Sequence, residues 1–357
     1  MKAPHASWIV FAALTLVSTA ANAATQRTFV ASNGNDANPC SIVQPCRSFG
    51  AAIAKTVPAG EVIVQDSAGY GVVTITQSVS LIAPTGVYAG ISVPAGQTGV
   101  TVNGGLIVVV LRGLSINGIF GAGSQGVSFV QGQRLRIENC VIAGLGSTGI
   151  ADSAAGSELT ILDTIVRDNG GAGVVLTVDA SMLLDGVRVE HNAGDGVLVS
   201  SAVTGASATI RNSVLSYNGQ AGVAAFMPAN PATSRVVVEN SLLSHNSGDG
   251  ATVGGATDGQ VIGVFSRNVI DRNGLSGISA FNLVSGGVSS VDTFDNTFSG
   301  NGNRGVKVQG FPSQVFLGHN YFARDESSLL TVSGGFLGSY GDNSGAGGGV
   351  TTPVSQF

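Results

Sequence analysis

The sequence predicts an all-β fold, a right-handed parallel β-helix: a solenoid of roughly eleven rungs with a short N-terminal capping helix. Composition supplies two of the observations behind this. Glycine accounts for 53 of 357 residues while charged residues make up only 10%, which indicates many turns and little charged surface. The hydrophobic share of 43% is too high for a disordered chain. The third observation is an internal repeat.

The repeat is marked by an asparagine, with a glycine four residues after it. The steps between successive asparagines are 23, 26, 28, 27 and 28 residues. Asparagine tolerates left-handed backbone conformations and glycine enters them freely, so the pair predicts a tight turn in every rung. Stacked side chains of this type can bond to one another along a column. We therefore predict a structural turn ladder of Asn169, Asn192, Asn218, Asn246, Asn273 and Asn301.

Between these turns lie short strands with alternating apolar residues, such as 236–240, and no segment with a helical period. Parallel crossovers are almost always right-handed. Three other solenoids fit less well. Valine and isoleucine replace most of the leucines that a leucine-rich repeat needs, a left-handed β-helix needs a six-residue period, and the calcium-binding nonapeptide pattern has only an isolated echo at 191–196.

The elements follow in chain order. Residues 1–23 have a short polar start at Lys2, an apolar stretch at 8–17 and small residues at 21–23, which predicts a signal peptide. The apolar stretch is too short to span a membrane, and no later one approaches that length. Export to the periplasm or the cell exterior follows from this prediction.

Residues 24–61 are predicted to form an N-terminal cap, residues 62–340 the β-helix, and residues 341–357 a flexible tail rich in Gly, Ser and Thr. Within the cap, 48–55 is the one good helix candidate, with Phe49 and Ile53 on one face. Placed before the first strand, this helix would cover the open end of the stack, whose unpaired edge would otherwise recruit other chains.

The cysteines fit an exported protein. Cys40 and Cys46 lie in a proline-flanked loop, and an oxidising compartment favours a disulfide between them. Cys140 occupies a position that other repeats fill with Ser, Thr or Gly, which indicates a small buried residue rather than a nucleophile.

The segments 28–36 and 45–53, together with the asparagine–glycine repeats, resemble the exported bacterial proteins with right-handed parallel β-helix repeats, in the broad pectate-lyase-like superfamily. The resemblance covers nearly all of the mature chain. It implies the β-helix fold, but relatives include pectate lyases, polygalacturonases, epimerases, phage tailspikes and adhesins. The fold therefore does not by itself imply one activity.

Several functions are excluded by what the sequence lacks. A net charge of −5 with three lysines (Lys2, Lys55 and Lys307) argues against a nucleic-acid partner, which requires a clustered basic face. The sequence has no Walker loop, dinucleotide fingerprint, zinc spacing or Gly-x-Ser-x-Gly elbow. We predict no cofactor and no metal.

Candidate site residues come from the turns, because rungs in register place equivalent residues in columns about 4.8 Å apart. The residues that precede the ladder asparagines could bind sugar hydroxyls or a uronate carboxylate; they are His191, Tyr217, His245 and Arg272. Asp195 and Asp249 would lie two rungs apart, at roughly 9–10 Å. Inverting glycoside hydrolysis uses two carboxyl groups roughly 6.5–9.5 Å apart, so these aspartates and His245 are the catalytic candidates. A simpler interpretation is favoured by their ordinary residue types: solenoid turns are polar because they face water.

The expected function is binding of extended glycans or polysaccharide along one face of the rod. Two alternatives fit the same residues: a polysaccharide hydrolase or lyase, and a non-catalytic surface protein of the adhesin type. The scarcity of charged residues favours the non-catalytic options. The sequence leaves open whether the rod is a monomer or assembles side by side.

Overall fold

The computed structural model describes residues 25–119, 121–201, 205–229, 232–257, 259–282, 287–325, 327–345 and 352–353. The predicted signal peptide and most of the predicted tail lie outside these residues. Within them the chain winds as a solenoid of three parallel sheets, which we call sheets A, B and C in the order in which each turn visits them. The predicted β-helix is confirmed.

Each sheet adds one strand per turn, and neighbouring strands in a sheet come from successive turns. Sheet A has 14 strands: Thr25–Val30, Thr56–Val64, Val79–Ile82, Val108–Arg112, Arg134–Glu138, Glu158–Leu162, Ser181–Asp185, Ser207–Arg211, Thr233–Glu239, Gln260–Ser266, Val288–Phe294, Gln314–Gly318, Phe336–Ser339 and Thr352–Pro353. Sheet B has 12: Ala68–Gly69, Ala89–Val93, Leu114–Gly118, Val141–Ala143, Ile165–Arg167, Arg188–Glu190, Val214–Ser216, Leu242–Ser244, Val269–Asp271, Thr297–Ser299, Tyr321–Ala323 and Ser344–Gly345. Sheet C has 11: Val73–Ile75, Thr98–Asn103, Gln125–Gln131, Ile150–Asp152, Val174–Leu176, Val197–Ser200, Val223–Ala229, Ala251–Thr257, Ile278–Asn282, Arg304–Gln309 and Ser327–Val332.

The alternation of apolar and polar residues along each strand decides which side chains enter the rod. In sheet A, Leu184, Ile210 and Val238 are partners in successive strands, and all three are fully buried. Their strand neighbours point outward and are polar or partly exposed. Because register repeats from rung to rung, the inward residues form continuous apolar columns, whose burial is the main stabilising contribution of the fold.

The capping helix spans Phe49–Ile53, and the Ser48 side chain accepts a hydrogen bond from the Ala51 N–H at its start. Phe49 and Ile53 are buried as predicted, with the Phe49 ring centroid 5.4 Å from that of Tyr70. The cap segment also carries a strand that the sequence pattern did not reveal. Thr25–Val30 pairs with Thr56–Val64 and begins sheet A.

The predicted disulfide between Cys40 and Cys46 is confirmed, with their Cα atoms 4.6 Å apart. At the other end, Ser344–Gly345 and Thr352–Pro353 extend sheets B and A into the segment predicted as a tail. No helix in the described part of the chain has the length and apolar character needed to cross a membrane.

Candidate functional site

Two of the three corners of each rung are tight turns built on one left-handed residue. Between sheets A and B the φ angle of this residue is 46–56° at Asn139, Asp163, Asn212, Asn240, Arg267, Asp295 and His319. Between sheets B and C it is 49–59° at Asp168, His191, Tyr217, His245, Arg272 and Arg324, with Gly300 in the same column. The sequence predicted that the repeat asparagine and glycine would supply this conformation. The structure places it instead on the residue before the asparagine.

The asparagine after each left-handed residue of the B–C corner points inward and is buried. Asn169 donates from Nδ2 to Asn192 Oδ1 at 2.8 Å. The four further links of the same kind, from Asn192 to Asn301, are 3.0 Å long. Asn301 ends the series by donating to Asp325 Oδ1. These bonds fix the register of neighbouring corners, and therefore of the residues that the corners expose.

The exposed side of the same corner carries three stacked rings, which we call the ring column: His191, Tyr217 and His245. The ring centroids of His191 and Tyr217 are 5.0 Å apart with 5° between the planes. The corresponding values for Tyr217 and His245 are 4.7 Å and 18°. Tyr217 is 51% exposed. Since a ring covers each face of Tyr217, the column presents ring edges and the Tyr217 hydroxyl to solvent.

Charged residues flank the ring column at both ends. Arg272 occupies the next turn, with Nη1 3.7 Å from a carboxylate oxygen of Asp271, and Asp168 in the preceding turn pairs with Arg167. The Nδ1 atom of His245 is buried and has no hydrogen-bond partner in the described part of the protein. Its neighbours in the column are therefore the rings themselves.

Asp195 and Asp249 are positioned by the backbone of the next rung rather than by each other. Asp195 Oδ1 accepts from the Ala221 N–H at 2.9 Å. Asp249 accepts from the Ser276 N–H at 2.7 Å and from the Thr252 hydroxyl at 3.0 Å. Burial raises the pKa of both carboxyls, against the effect of these bonds. Among the described residues, neither aspartate bonds to His245, so the three catalytic candidates do not form one hydrogen-bonded group.

A second ladder, which sequence reasoning missed, lies at the corner between sheets A and B. Asn268, Asn296, Asn320 and Asn343 link Nδ2 to Oδ1 over 3.0–3.1 Å. Earlier rungs fill the same position with other residues, for example Ser213 and Ser241, whose hydroxyls accept from backbone N–H groups. The recurring asparagine after the left-handed residue was the available signal, but the mixture of residue types obscured it.

Cys140 occupies this second ladder position. It is buried and unpaired, and its Sγ donates to the Glu138 carbonyl at 3.2 Å. Burial raises the pKa of the thiol to about 11, which leaves it protonated and unreactive at neutral pH. In the described part of the chain, His, Cys, Asp and Glu side chains nowhere cluster in a group of three that could hold a metal ion.

Three parallel sheets, inward asparagine ladders and a solvent-facing edge of stacked rings define a solenoid of the parallel β-helix class. The family model for the right-handed β-helix region matches residues 61–180, 98–258 and 180–322, which together cover most of the chain. The chain therefore belongs to the right-handed β-helix family.

Solved structures share the fold at low sequence identity. Pectate lyase Pel9A is 20% identical, with a TM-score of 0.54 over 88% of this chain and 79% of that one. The A-module of Azotobacter vinelandii mannuronan C-5 epimerase AlgE4 is 15% identical, with a TM-score of 0.57 over 83% and 91%. Polygalacturonase from Erwinia carotovora ssp. carotovora is 10% identical, with a TM-score of 0.60 over 80% and 91%. No curated protein sequence matches the chain.

Proposed function

We propose that this protein is exported and binds extended polysaccharide along the edge of the rod that carries the ring column. The observation that carries the proposal is the exposed stack of His191, Tyr217 and His245. Neighbours with the same fold include enzymes named for pectate, mannuronan and polygalacturonate, which supports a glycan as the ligand. The Cys40–Cys46 disulfide fits an oxidising compartment and therefore export.

The backbone alone does not explain these side chains. Both tight corners require a left-handed residue, and through the same rungs the A–B corner uses Gly186, Asn212 and Asn240, residue types that adopt this conformation readily. The B–C corner uses His191, Tyr217 and His245 instead. A bulky side chain in the left-handed region is costly, and such an outlier is grounds for a functional hypothesis.

The chemistry of the column suits a polymer rich in hydroxyl groups. Each imidazole offers a donor and an acceptor, and the phenol offers both. These groups recur at the strand spacing of about 4.8 Å. A regular ligand that lies along the rod can therefore contact several rungs at once. Arg272 at the end of the column would bind a carboxylate if the ligand carries one.

We assign Asp195 and Asp249 to the fold rather than to acid–base catalysis, because their oxygens accept hydrogen bonds from the next rung. The competing proposal of a hydrolase or lyase has a direct test. Release of reducing ends or of unsaturated products from any polysaccharide that the protein binds, lost in Asp249→Asn, would replace our assignment.

The binding test uses the full chain without its leader, with polygalacturonate, alginate, α-1,3-glucan and dextran in affinity electrophoresis and co-sedimentation. Tyr217→Asn removes the ring and keeps a residue that tolerates the left-handed turn. We expect this variant to lose about tenfold in affinity, which corresponds to about 1.4 kcal/mol. Tyr321→Thr is the matched control, since Tyr321 is 50% exposed on the outer face of sheet B. Equal retention of wild type and Tyr217→Asn, or no retention of wild type, would contradict the proposal.

A further inference from the structure

A shallow groove lies on the outer face of sheet A, away from the ring column. Its volume is about 300 Å³, and its outward-facing lining residues are Glu158, Thr160, Ser181, Leu183, Ser207 and Thr209. The groove has a simple cause in the register. Ser181 and Ser207 follow Glu158 and precede Arg235 in one outward column, so two short side chains lie between two long ones.

Further along the same face is an aromatic patch formed by Phe294, Phe316, Phe336 and Tyr340. The ring centroids of Phe316 and Phe336 are 5.7 Å apart, and those of Phe294 and Tyr340 are 6.0 Å apart. Phe336 is 41% exposed. Gly318 makes the arrangement possible, because a Cβ atom there would lie 2.6 Å from the Phe294 ring and 3.4 Å from the Tyr340 ring.

One carboxylate lies in this apolar surface. Asp292 is partly buried and is the sheet partner of Val264 on one side and Phe316 on the other. Burial raises the pKa of Asp292, and the charge of Arg235 opposes the rise. No residue of the described chain donates a hydrogen bond to this carboxylate. A partly desolvated acceptor without a donor is costly, which points to a donor from outside the chain.

We propose that the outer face of sheet A, from the groove to the aromatic patch, is a second polysaccharide-binding surface, and that its ligand is a neutral glycan lying along the rod. Sugar hydroxyls would supply the donors that Asp292 lacks, and the C–H faces of pyranose rings would pack on Phe316 and its neighbours. A neutral chain is favoured because an acidic one would meet Asp292. A peptide cannot add here as a strand, because the backbone groups of sheet A already bond within the sheet.

The length of the surface supports a polymer as the occupant. The groove begins at strand Glu158–Leu162, and the patch ends at strand Phe336–Ser339, seven strand steps later. At about 4.8 Å per step this is on the order of 34 Å. The inference rests on the proposed function, since it gives the same protein a second and chemically different contact with polysaccharide.

The test uses the full chain without its leader and the same four polysaccharides, of which dextran and α-1,3-glucan are neutral. Three variants address the surface: Phe316→Ala, Asp292→Leu, and Ser207→Trp, which fills the groove. All three positions point outward, and thermal unfolding identifies any variant that fails to fold. Tyr321→Thr and Thr297→Trp make matched changes on the outer face of sheet B. We expect each surface variant to lose about tenfold in affinity for a neutral glucan and each control to stay within twofold of wild type.

Tyr217→Asn, measured in parallel, separates the two proposals. Folded surface variants that bind every polysaccharide within twofold of wild type would overturn the second surface, while a loss in Tyr217→Asn would leave the proposed function standing. A wild-type protein retained by none of the four polysaccharides would overturn both. If Phe316→Ala does not fold, the outcome for Asp292→Leu and Ser207→Trp decides.

Discussion

In Asn246 a single carboxamide makes four hydrogen bonds. Its Oδ1 accepts from the N–H and the Nδ2 of Asn218, and its Nδ2 donates to Asn273 Oδ1 and to the Leu215 carbonyl. An amide side chain has two donors and two acceptor sites, so its capacity is fully used. No other side chain of similar size offers this combination, which is why the ladder position repeats the residue so faithfully.

We expect Asn246→Ala to lower the free energy of unfolding by about 2–4 kcal/mol, because it leaves buried donors and acceptors in two neighbouring rungs without partners. Urea unfolding followed by circular dichroism measures the change. Gln220→Ala, an exposed substitution in a neighbouring turn, serves as control and should shift the midpoint little. Equal midpoints for the two variants would show that the ladder is not a source of stability.

Asp152 gives the fold a dependence on pH. It is 1% exposed and bonds to Ala154 N–H and the Ser157 hydroxyl, and burial raises its pKa from 3.8 to about 6. The folded state therefore binds this proton more tightly than the unfolded state. Stability from the protonated carboxyl is complete below pH 3.8 and is lost as the pH rises to about 6.

Asp152→Asn removes this loss and keeps the acceptor oxygen. Relative to wild type, we expect the variant to gain about 2–3 kcal/mol in unfolding free energy between pH 4 and pH 7. Asp185→Asn is a control of opposite sign. Hydrogen bonds from Asn212 and Arg211 lower the pKa of Asp185, so its stabilisation is present above the unfolded pKa and disappears as the pH falls. Parallel pH profiles for wild type and Asp152→Asn would contradict the assignment.

At the scale of the element, the glycine column explains how closely rungs can stack. At Gly149, Gly173, Gly196, Gly222, Gly250 and Gly277, a Cβ atom would lie 2.5–2.7 Å from the carbonyl oxygen of the equivalent glycine in the next rung. None of the six has a left-handed φ. Glycine is needed here for close approach and not for its conformational freedom, as the spacing alone had indicated.

Gly222→Ala tests this explanation. Its Cβ would lie 2.7 Å from the Gly250 oxygen and 2.8 Å from Asn246 Nδ2, so two rungs would have to separate. We expect a loss of about 2–4 kcal/mol in unfolding free energy. Gly105→Ala, where a Cβ atom meets nothing within 4 Å, should change stability by less than about 1 kcal/mol. A tolerated Gly222→Ala would show that the stack is softer than this packing implies.

For the whole molecule, the regular core leaves two surfaces with different chemistry. The ring column lies at the corner between sheets B and C and offers polar ring edges with an arginine at its end. The groove and aromatic patch lie on the outer face of sheet A and offer apolar faces with one acceptor. Because all rungs share one register, neither surface disturbs the packing beneath it.

The sequence by itself determined the repeat, the parallel strands, the capping helix and the neighbours in the ring column. It could do so because each rung uses the same positions for the same purpose, so that spacing along the chain translates directly into position along the rod. His191, Tyr217 and His245 could therefore be placed together from their common offset to the ladder asparagines.

The tertiary structure decided what contacts between rungs decide. It bound the carboxylates of Asp195 and Asp249 to backbone N–H groups of the next rung, and it left Asp292 beside Phe316 without a donor. Side-chain direction, burial and hydrogen bonding depend on residues that are neighbours only across the sheet, roughly 25 positions away in sequence. Repeat spacing places a residue in its rung, but the adjoining rungs determine its chemical environment.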